Sequence, residues 1–202
     1  SCTECGRCVP QCPAFATEKP LSLRQVNKDV KHALLERAPY LLETNRGPDG
    51  QKKEYEGPPM TGGVIKAETI WACTMCRDCE ERCPLLIEQV SKIAEMRRYL
   101  VMIEGDVAPE LTKTFRGWET KSNPWSLDPG TRADWMQGLD VPTLAEKPDA
   151  EYLFYLGCMA CFDDRSTKIT KALVRILKQA QVDFAVLGEE ELCCGETARR
   201  LG

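Results

Sequence analysis

Four cysteines near the head of the chain, Cys2, Cys5, Cys8 and Cys12, run straight into Pro13. Four more, Cys73, Cys76, Cys79 and Cys83, run into Pro84. Both runs read C-x2-C-x2-C-x3-C-P, and each position of the first recurs 71 residues on, Cys73 against Cys2. Nothing else in the 202 residues constrains the fold as much. The 12 cysteines would allow six disulfides, but disulfide frameworks scatter their cysteines around a loop-rich chain. Three thiolates spaced like these form a tight arc that grips three corners of a cube. Four-cysteine zinc sites use two separated C-x2-C pairs, so a triple arc ending in C-P, present twice, fits zinc badly.

The spacing is the bacterial run for a [4Fe–4S] cluster, in which the fourth cysteine ligates the other cluster of a pair. It predicts one cluster on Cys2, Cys5, Cys8 and Cys83, and a second on Cys73, Cys76, Cys79 and Cys12. Such a crossover makes metal binding and folding one event. Net charge is −4, which leaves no basic footprint for nucleic acid or an anionic membrane surface. Charged residues at 29% and hydrophobic ones at 43% exclude a wholly disordered chain. No apolar run approaches the ~18 residues of a membrane span. The opening Ser1-Cys2-Thr3-Glu4-Cys5 has neither the basic leader nor the apolar core of a signal peptide. Thiolate-bound clusters and this many reduced cysteines suit the cytoplasm.

The two motifs stand far apart, and the sequence between them reads as helical. Ser22 caps a predicted helix carrying Leu23, Val26, Val30, Leu34 and Leu35, stopping before Pro39. Loops at Gly47–Gly50 and Gly57–Gly63 precede a short helix from Val64 to Trp71. Pro84 suits the first position of a helix carrying Ile87, Val90, Ile93, Ala94 and Leu100 to Ile103. Residues 1–104 therefore read as an α-helical two-cluster ferredoxin domain, similar to the cluster domains of succinate dehydrogenase iron–sulfur subunits. Trp71 either shields a cluster from water or is a plain core aromatic. Arg7, Arg77 and Arg82 either offset cluster charge or are solvated. His32, the one histidine, reads as a surface residue. Residues 105–150 hold five prolines (Pro109, Pro124, Pro129, Pro142, Pro148) with Trp118, Trp125 and Trp135. They read as an ordered connector packing its tryptophans onto a neighbour, not as a flexible linker.

Residues 151–202 change register again. Glu151–Leu156 and Val182–Leu187 read as strands. Ser166–Ala180 reads as a helix with Ile169, Ala172, Leu173, Ile176, Leu177 and Ala180 on one face. Strand–helix–strand implies a parallel unit. Cys158 would follow the first strand, and Cys193 and Cys194 the second, at the carboxyl edge where α/β folds build sites. Cys158 and Cys161 also form a C-x2-C near a helix start, the setting of a redox pair, but Cys161 reads first as a spare thiol.

A Gly-Cys after a strand, and Cys193-Cys194-Gly195 about thirty-five residues on, resembles the first part of the cysteine-rich CCG domain. With the two C-P motifs upstream, the chain resembles the heterodisulfide reductase-like family of CCG-domain iron–sulfur oxidoreductases. Its relatives include iron–sulfur subunits of glycolate and lactate dehydrogenases and electron-transfer flavoprotein:menaquinone oxidoreductases. The resemblance implies an α+β architecture, a two-[4Fe–4S] helical domain followed by the start of an α/β CCG domain, within a longer polypeptide. It gives Cys158, Cys193 and Cys194 as ligands of a further metal centre, and no such role to Cys161. It implies single-electron relay between a flavoprotein dehydrogenase or electron-transfer flavoprotein and a quinone or CCG site. The alternative is a disulfide reductase using a CCG-bound iron–sulfur centre. Membrane association would come through a quinone-reducing partner or a missing membrane segment.

Overall fold

The computed structural model describes residues 2–42 and 44–202. The chain divides into two compact units, one running to Asp106 and including Arg199–Gly202, the other Val107–Ala198. The connector region therefore groups with the C-terminal piece.

The first unit contains α1 (Pro13–Ala16), α2 (Leu23–Leu41), α3 (Ala67–Trp71), α4 (Asp78–Glu81) and α5 (Gln89–Arg98). A π-helical turn at Tyr99–Ile103 prolongs α5. Pro13 opens α1, where its missing N–H is no loss. The Ser22 hydroxyl caps α2 by accepting from Gln25 N–H at 3.4 Å. Leu23, Val26 and Ala33 of α2 are buried, as are Ile70 of α3 and Val90, Ile93 and Met96 of α5. Most of these residues form a core with Cys8, Cys12 and Cys79. Burying each large aliphatic side chain stabilises the unit by about 1.5–3 kcal/mol. Asn27 donates to Gln89 Oε1 at 2.8 Å and accepts from Lys92 Nζ at 2.8 Å, which ties α2 to α5.

Several boundaries differ from the sequence reading. Helix α2 runs past Pro39 to Leu41, because Leu42 N–H still closes on Ala38 O at 2.9 Å. A proline this close to the end forfeits little of the ladder. Leu34 and Leu35 are exposed rather than packed. Helix α3 starts at Ala67, not Val64. Helix α5 starts at Gln89, not Pro84. Leu86, at φ 51°, breaks the helical path. The carboxylate of Glu80 then accepts from Val90 N–H at 2.7 Å in the first turn of α5. His32 is exposed, as read.

The second unit contains α6 (Pro109–Lys121), β1 (Tyr152–Leu153), α7 (Gly157–Phe162), α8 (Asp164–Gln179) and β2 (Phe184–Ala185). Helix α9 (Glu196–Leu201) spans the unit boundary. Strands β1 and β2 pair in parallel, Tyr152 with Phe184 and Leu153 with Ala185. The strands are shorter than the sequence implies. A parallel bridge from Thr143 to Val186 adds connector backbone on the other side of β2. Gly117 of α6 admits no side chain, since a Cβ there would lie 2.6 Å from Asn123 O and 2.8 Å from Ser126 Oγ. Asn123 knots that turn, donating to Lys121 O and Leu127 O at 2.9 Å and accepting from Trp125 and Leu127 N–H. Trp135 is buried in the core with Cys161, Val174, Phe184 and Val186. Trp118 stacks on Phe115, while Trp125 is largely exposed. Among the described residues, no helix is long and apolar enough to cross a membrane.

Candidate metal centres

The two cysteine arcs adopt the same backbone. Glu4 and Met75, which correspond across the repeat, have φ of 59° and 58°. Gly6 and Arg77 correspond in turn, at 79° and 67°. Left-handed residues of this kind are disfavoured for side chains other than glycine and here curl each arc inward. As a result Glu4 N–H donates to Cys2 Sγ at 3.3 Å, and Met75 N–H donates to Cys73 Sγ at 3.4 Å.

Each arc borders a small cavity. The first is lined by Cys2, Cys5, Cys8 and Cys83, with Arg7, Arg24 and Gln89 on its wall. The second is lined by Cys73, Cys76, Cys79 and Cys12, with Leu23, Arg77 and Val90. Each cavity thus takes three sulfurs from one motif and the fourth from the other. All eight thiols are unbridged. Among the described residues, no three His, Cys, Asp or Glu side chains close on the point a single ion would occupy.

Three of the thiols, Cys8, Cys73 and Cys79, are pushed toward the protonated form. Burial pushes Cys8 up, and the charges of Cys2, Cys5 and Cys83 add to that, against a backbone N–H that lowers it. Cys73 is raised by burial and by Cys12 and Cys76, with Met75 N–H and Arg97 working the other way. Cys79 is pushed up to about 12 by burial, then by Glu80 and the neighbouring thiols. Four crowded thiolates are unfavourable unless a cationic group displaces their protons. The donor set and the cradles therefore fit an iron–sulfur cluster.

A third group of cysteines lies within the second unit. Cys158 and Cys161 sit one turn apart on α7, both buried. Cys193 and Cys194 lie in the loop before α9, where Cys193 N–H donates to Ser122 O at 3.1 Å. Arg132 reaches in from the connector. One guanidinium nitrogen donates to Cys158 Sγ at 3.3 Å, and the other to Glu191 Oε1 at 3.1 Å. The Arg132 and Glu191 side chains are 2% and 1% exposed. Glu191 also accepts from Leu156 N–H at 3.0 Å and Gly157 N–H at 2.8 Å, which fixes the start of α7. Burial pushes Cys158 up, Arg132 pulls it back, and Cys193 is close enough to hydrogen-bond it. Tyr155 is pushed to about 12 by burial, Glu191, Cys194, Cys158 and Cys193. Its hydroxyl donates to Leu192 O at 2.6 Å. The structure thus gathers Cys158, Cys193 and Cys194, and adds Cys161, which the sequence left aside.

Of the motif arginines, Arg7, Arg77 and Arg82 are exposed. Two buried arginines, Arg97 and Arg132, and Glu191 beside Arg132, escaped the sequence reading. For Arg97 a signal existed: it lies on the apolar stripe of Val90, Ile93 and Leu100, at i+7, i+4 and i−3 from them. Arg132 and Glu191 lie in irregular segments with no periodicity to betray burial.

Residues 1–87 match the 4Fe-4S dicluster domain family, and residues 152–202 match the cysteine-rich domain family known as CCG. The chain is an iron–sulfur protein of the class that joins these two domains. Over its whole length it is 40% identical to EtfAB:quinone oxidoreductase of Syntrophomonas wolfei, covering 31% of that protein. It is 37% identical to a probable membrane-anchored ferredoxin of Chromohalobacter salexigens, again over 31% of that protein. It is 27% identical to a chain of the dihydromethanophenazine:CoB–CoM heterodisulfide reductase of Methanosarcina mazei, over 47% of that chain. The chain therefore spans between about a third and a half of these relatives.

Proposed function

We propose that this chain is the electron-conducting part of an oxidoreductase. It passes single electrons between a flavoprotein, of the dehydrogenase or electron-transfer flavoprotein kind, and a quinone site or the cysteine-rich domain. One [4Fe–4S] cluster is assigned to Cys2, Cys5, Cys8 and Cys83, and the other to Cys73, Cys76, Cys79 and Cys12. The observation that carries the reading is the pair of four-cysteine cavities with crossed fourth ligands. When bound, such clusters supply reversible one-electron chemistry.

The chain's own residues hold, insulate and expose. Leu23 and Val90 wall the second cavity with hydrocarbon on the side of buried Cys12 and Cys79, while Cys76 stays exposed, and the balance of water and hydrocarbon tunes the sulfurs' chemistry. The N–H groups of Glu4 and Met75 fix one sulfur in each arc. Each set also opens on a groove of its own. The groove bordering Cys2 carries Lys28, Lys31 and Lys92 against the single carboxylate of Glu4, with exposed Leu34 and Leu35. The groove bordering Cys76 carries Asp78, Glu80, Glu81 and Glu88 against the single cation of Arg77. Opposite charge at the two grooves suits two different redox partners, one docking beside each cluster. The names of the relatives support a quinone-linked flavoprotein on one side and membrane attachment through a partner or a further segment, and the many reduced cysteines suit the cytoplasmic face of that membrane.

The test is iron and acid-labile sulfide per chain in protein purified without oxygen, with EPR of the dithionite-reduced sample. About eight irons with interacting signals is the expected result. Zinc, or oxidised cysteines with little iron, would overturn the relay. A second reading has its own support in the gathered cysteines around Arg132: Cys158, Cys193 and Cys194 hold a further centre that reduces disulfides. It requires iron in excess of the two cubanes, lost selectively in Cys193→Ala.

A further inference from the structure

Arg97 is a buried cation without an anion. Its residue is 5% exposed, and among the described residues no carboxylate pairs with it. One guanidinium nitrogen donates to three carbonyls that end α3 and enter the second arc: Ile70 O at 3.1 Å, Trp71 O at 3.4 Å and Cys73 O at 2.5 Å. The other terminal nitrogen donates to Arg200 O at 2.8 Å. The plane lies over the Trp71 ring, 4.9 Å from its centroid. The remaining nitrogen, Nε, is buried with no partner at all. Carbonyl dipoles and an indole face solvate a cation, but they do not neutralise it. Burying an uncompensated charge is among the costlier things a fold can do.

Burial lowers the Arg97 pKa, and Cys73 in its thiolate form works against that. The two cavities are unequal in this respect. The arginines on the wall of the first, Arg7 and Arg24, are exposed and screened by water. In the second, Glu80 adds negative charge beside Cys79, but it is held 3.8 Å from Arg77 and accepts Val90 N–H.

We infer that Arg97 is the built-in counter-cation of the cluster held by Cys12, Cys73, Cys76 and Cys79, and raises that cluster's reduction potential while leaving the other's unchanged. The inference rests on the two-cluster reading above. One-electron reduction by the flavoprotein partner adds one negative charge to the site and needs no proton. A fixed positive charge in a low-dielectric setting favours that added charge. Through Cys73 O the same guanidinium also positions the start of the arc, so Arg97 is a positioning residue as well as a charge. Electrons arriving at the pair would settle toward the Cys76 groove.

The experiment is an EPR-monitored potentiometric measurement on the intact chain, purified without oxygen, comparing wild type with Arg97→Met and Arg97→Lys. Iron and sulfide are counted first. A wild type short of about eight irons sinks the relay reading itself, before Arg97 is in question. With eight irons present, Arg97→Met should shift one of the two potentials to a more negative value and leave the other in place. Arg97→Lys, which keeps the charge but not the fork, should restore most of that shift. Unchanged potentials in a fully loaded Arg97→Met overturn the inference and leave a purely structural contact. If Arg97→Met loses about four irons while Arg97→Lys keeps them, the need for a cation is upheld. If Arg97→Lys loses them too, the carbonyl fork matters and the counter-ion does not.

Discussion

At the scale of single residues, the charges that matter most are those the chain hides. Arg132 and Glu191 form a 3.1 Å ion pair sealed from water beside Cys158 and Cys161. Such pairs add little net stability when whole, but removing one partner strands the other. Glu191→Gln leaves Arg132 without its anion and takes one acceptor from the start of α7. It should lower the second unit's unfolding free energy by about 3 kcal/mol, read in urea by the fluorescence of Trp135, which is buried in that unit's core. A variant as stable as wild type would mean that Cys158 itself neutralises Arg132. The cysteine sets were legible in the sequence because spacing alone encodes an arc. Arg132 and Glu191 were not, because they meet Cys161 from irregular chain that no periodicity describes. A C-x2-C on a helix does hint that Cys161 shares a face with Cys158.

At the scale of elements, α8 shows how a correct helix can carry a misread face. The pattern Ile169, Leu173, Ile176 implied a core stripe, yet these residues are 59%, 40% and 61% exposed, whereas Thr170 and Val174 are buried. Two paired strands and one bridge offer too little sheet to cover the whole apolar arc, so the face that packs is the one beneath Phe184 and Val186. Val174→Ala should therefore cost about 2 kcal/mol, while Ile176→Lys should stay within about 0.5 kcal/mol. Equal losses in thermal melts would restore the sequence's version of the face. The start of α8 was misplaced for a related reason. The helix begins at Asp164 rather than Ser166, and Asp163 is its cap, the carboxylate accepting from Ser166 N–H at 2.8 Å. That bond lowers its pKa from the usual 3.8. Folding therefore favours the ionised form, so the cap contributes fully above pH ~4 and is lost as pH falls through the lowered folded value. Asp163→Ala should melt below wild type at pH 7, and the gap should close in acid. A gap independent of pH would assign the effect to something other than the carboxylate.

At the scale of the molecule, the repeat of 71 residues works as a clasp. Cys12 lies after the first arc but lines the second cavity, and Cys83 lies after the second arc but lines the first. Filling both cavities ties the chain across loops of roughly 70 residues, and closing a loop of that length constrains the unfolded state by on the order of 4 kcal/mol. The shared core and the Asn27–Gln89 contact also join α2 to α5, but α1, α3 and α4, which flank the cysteines, have four or five residues each, too short to persist alone. The second unit has its own core around Trp135, Val174 and Phe184, built without the cubane cysteines. Iron removal should therefore act on one unit. Anaerobic chelation ought to abolish most of the circular dichroism due to the first unit's helices, and leave the urea midpoint read by Trp135 in place. The crossover itself is separable from this by substitution. Cys12→Ser should erase the EPR signal whose potential responds to Arg97→Met, and Cys83→Ser should erase the other. If each motif instead held its cluster with its own four cysteines, the two variants would exchange effects, and the helices between the motifs would no longer depend on iron at both ends.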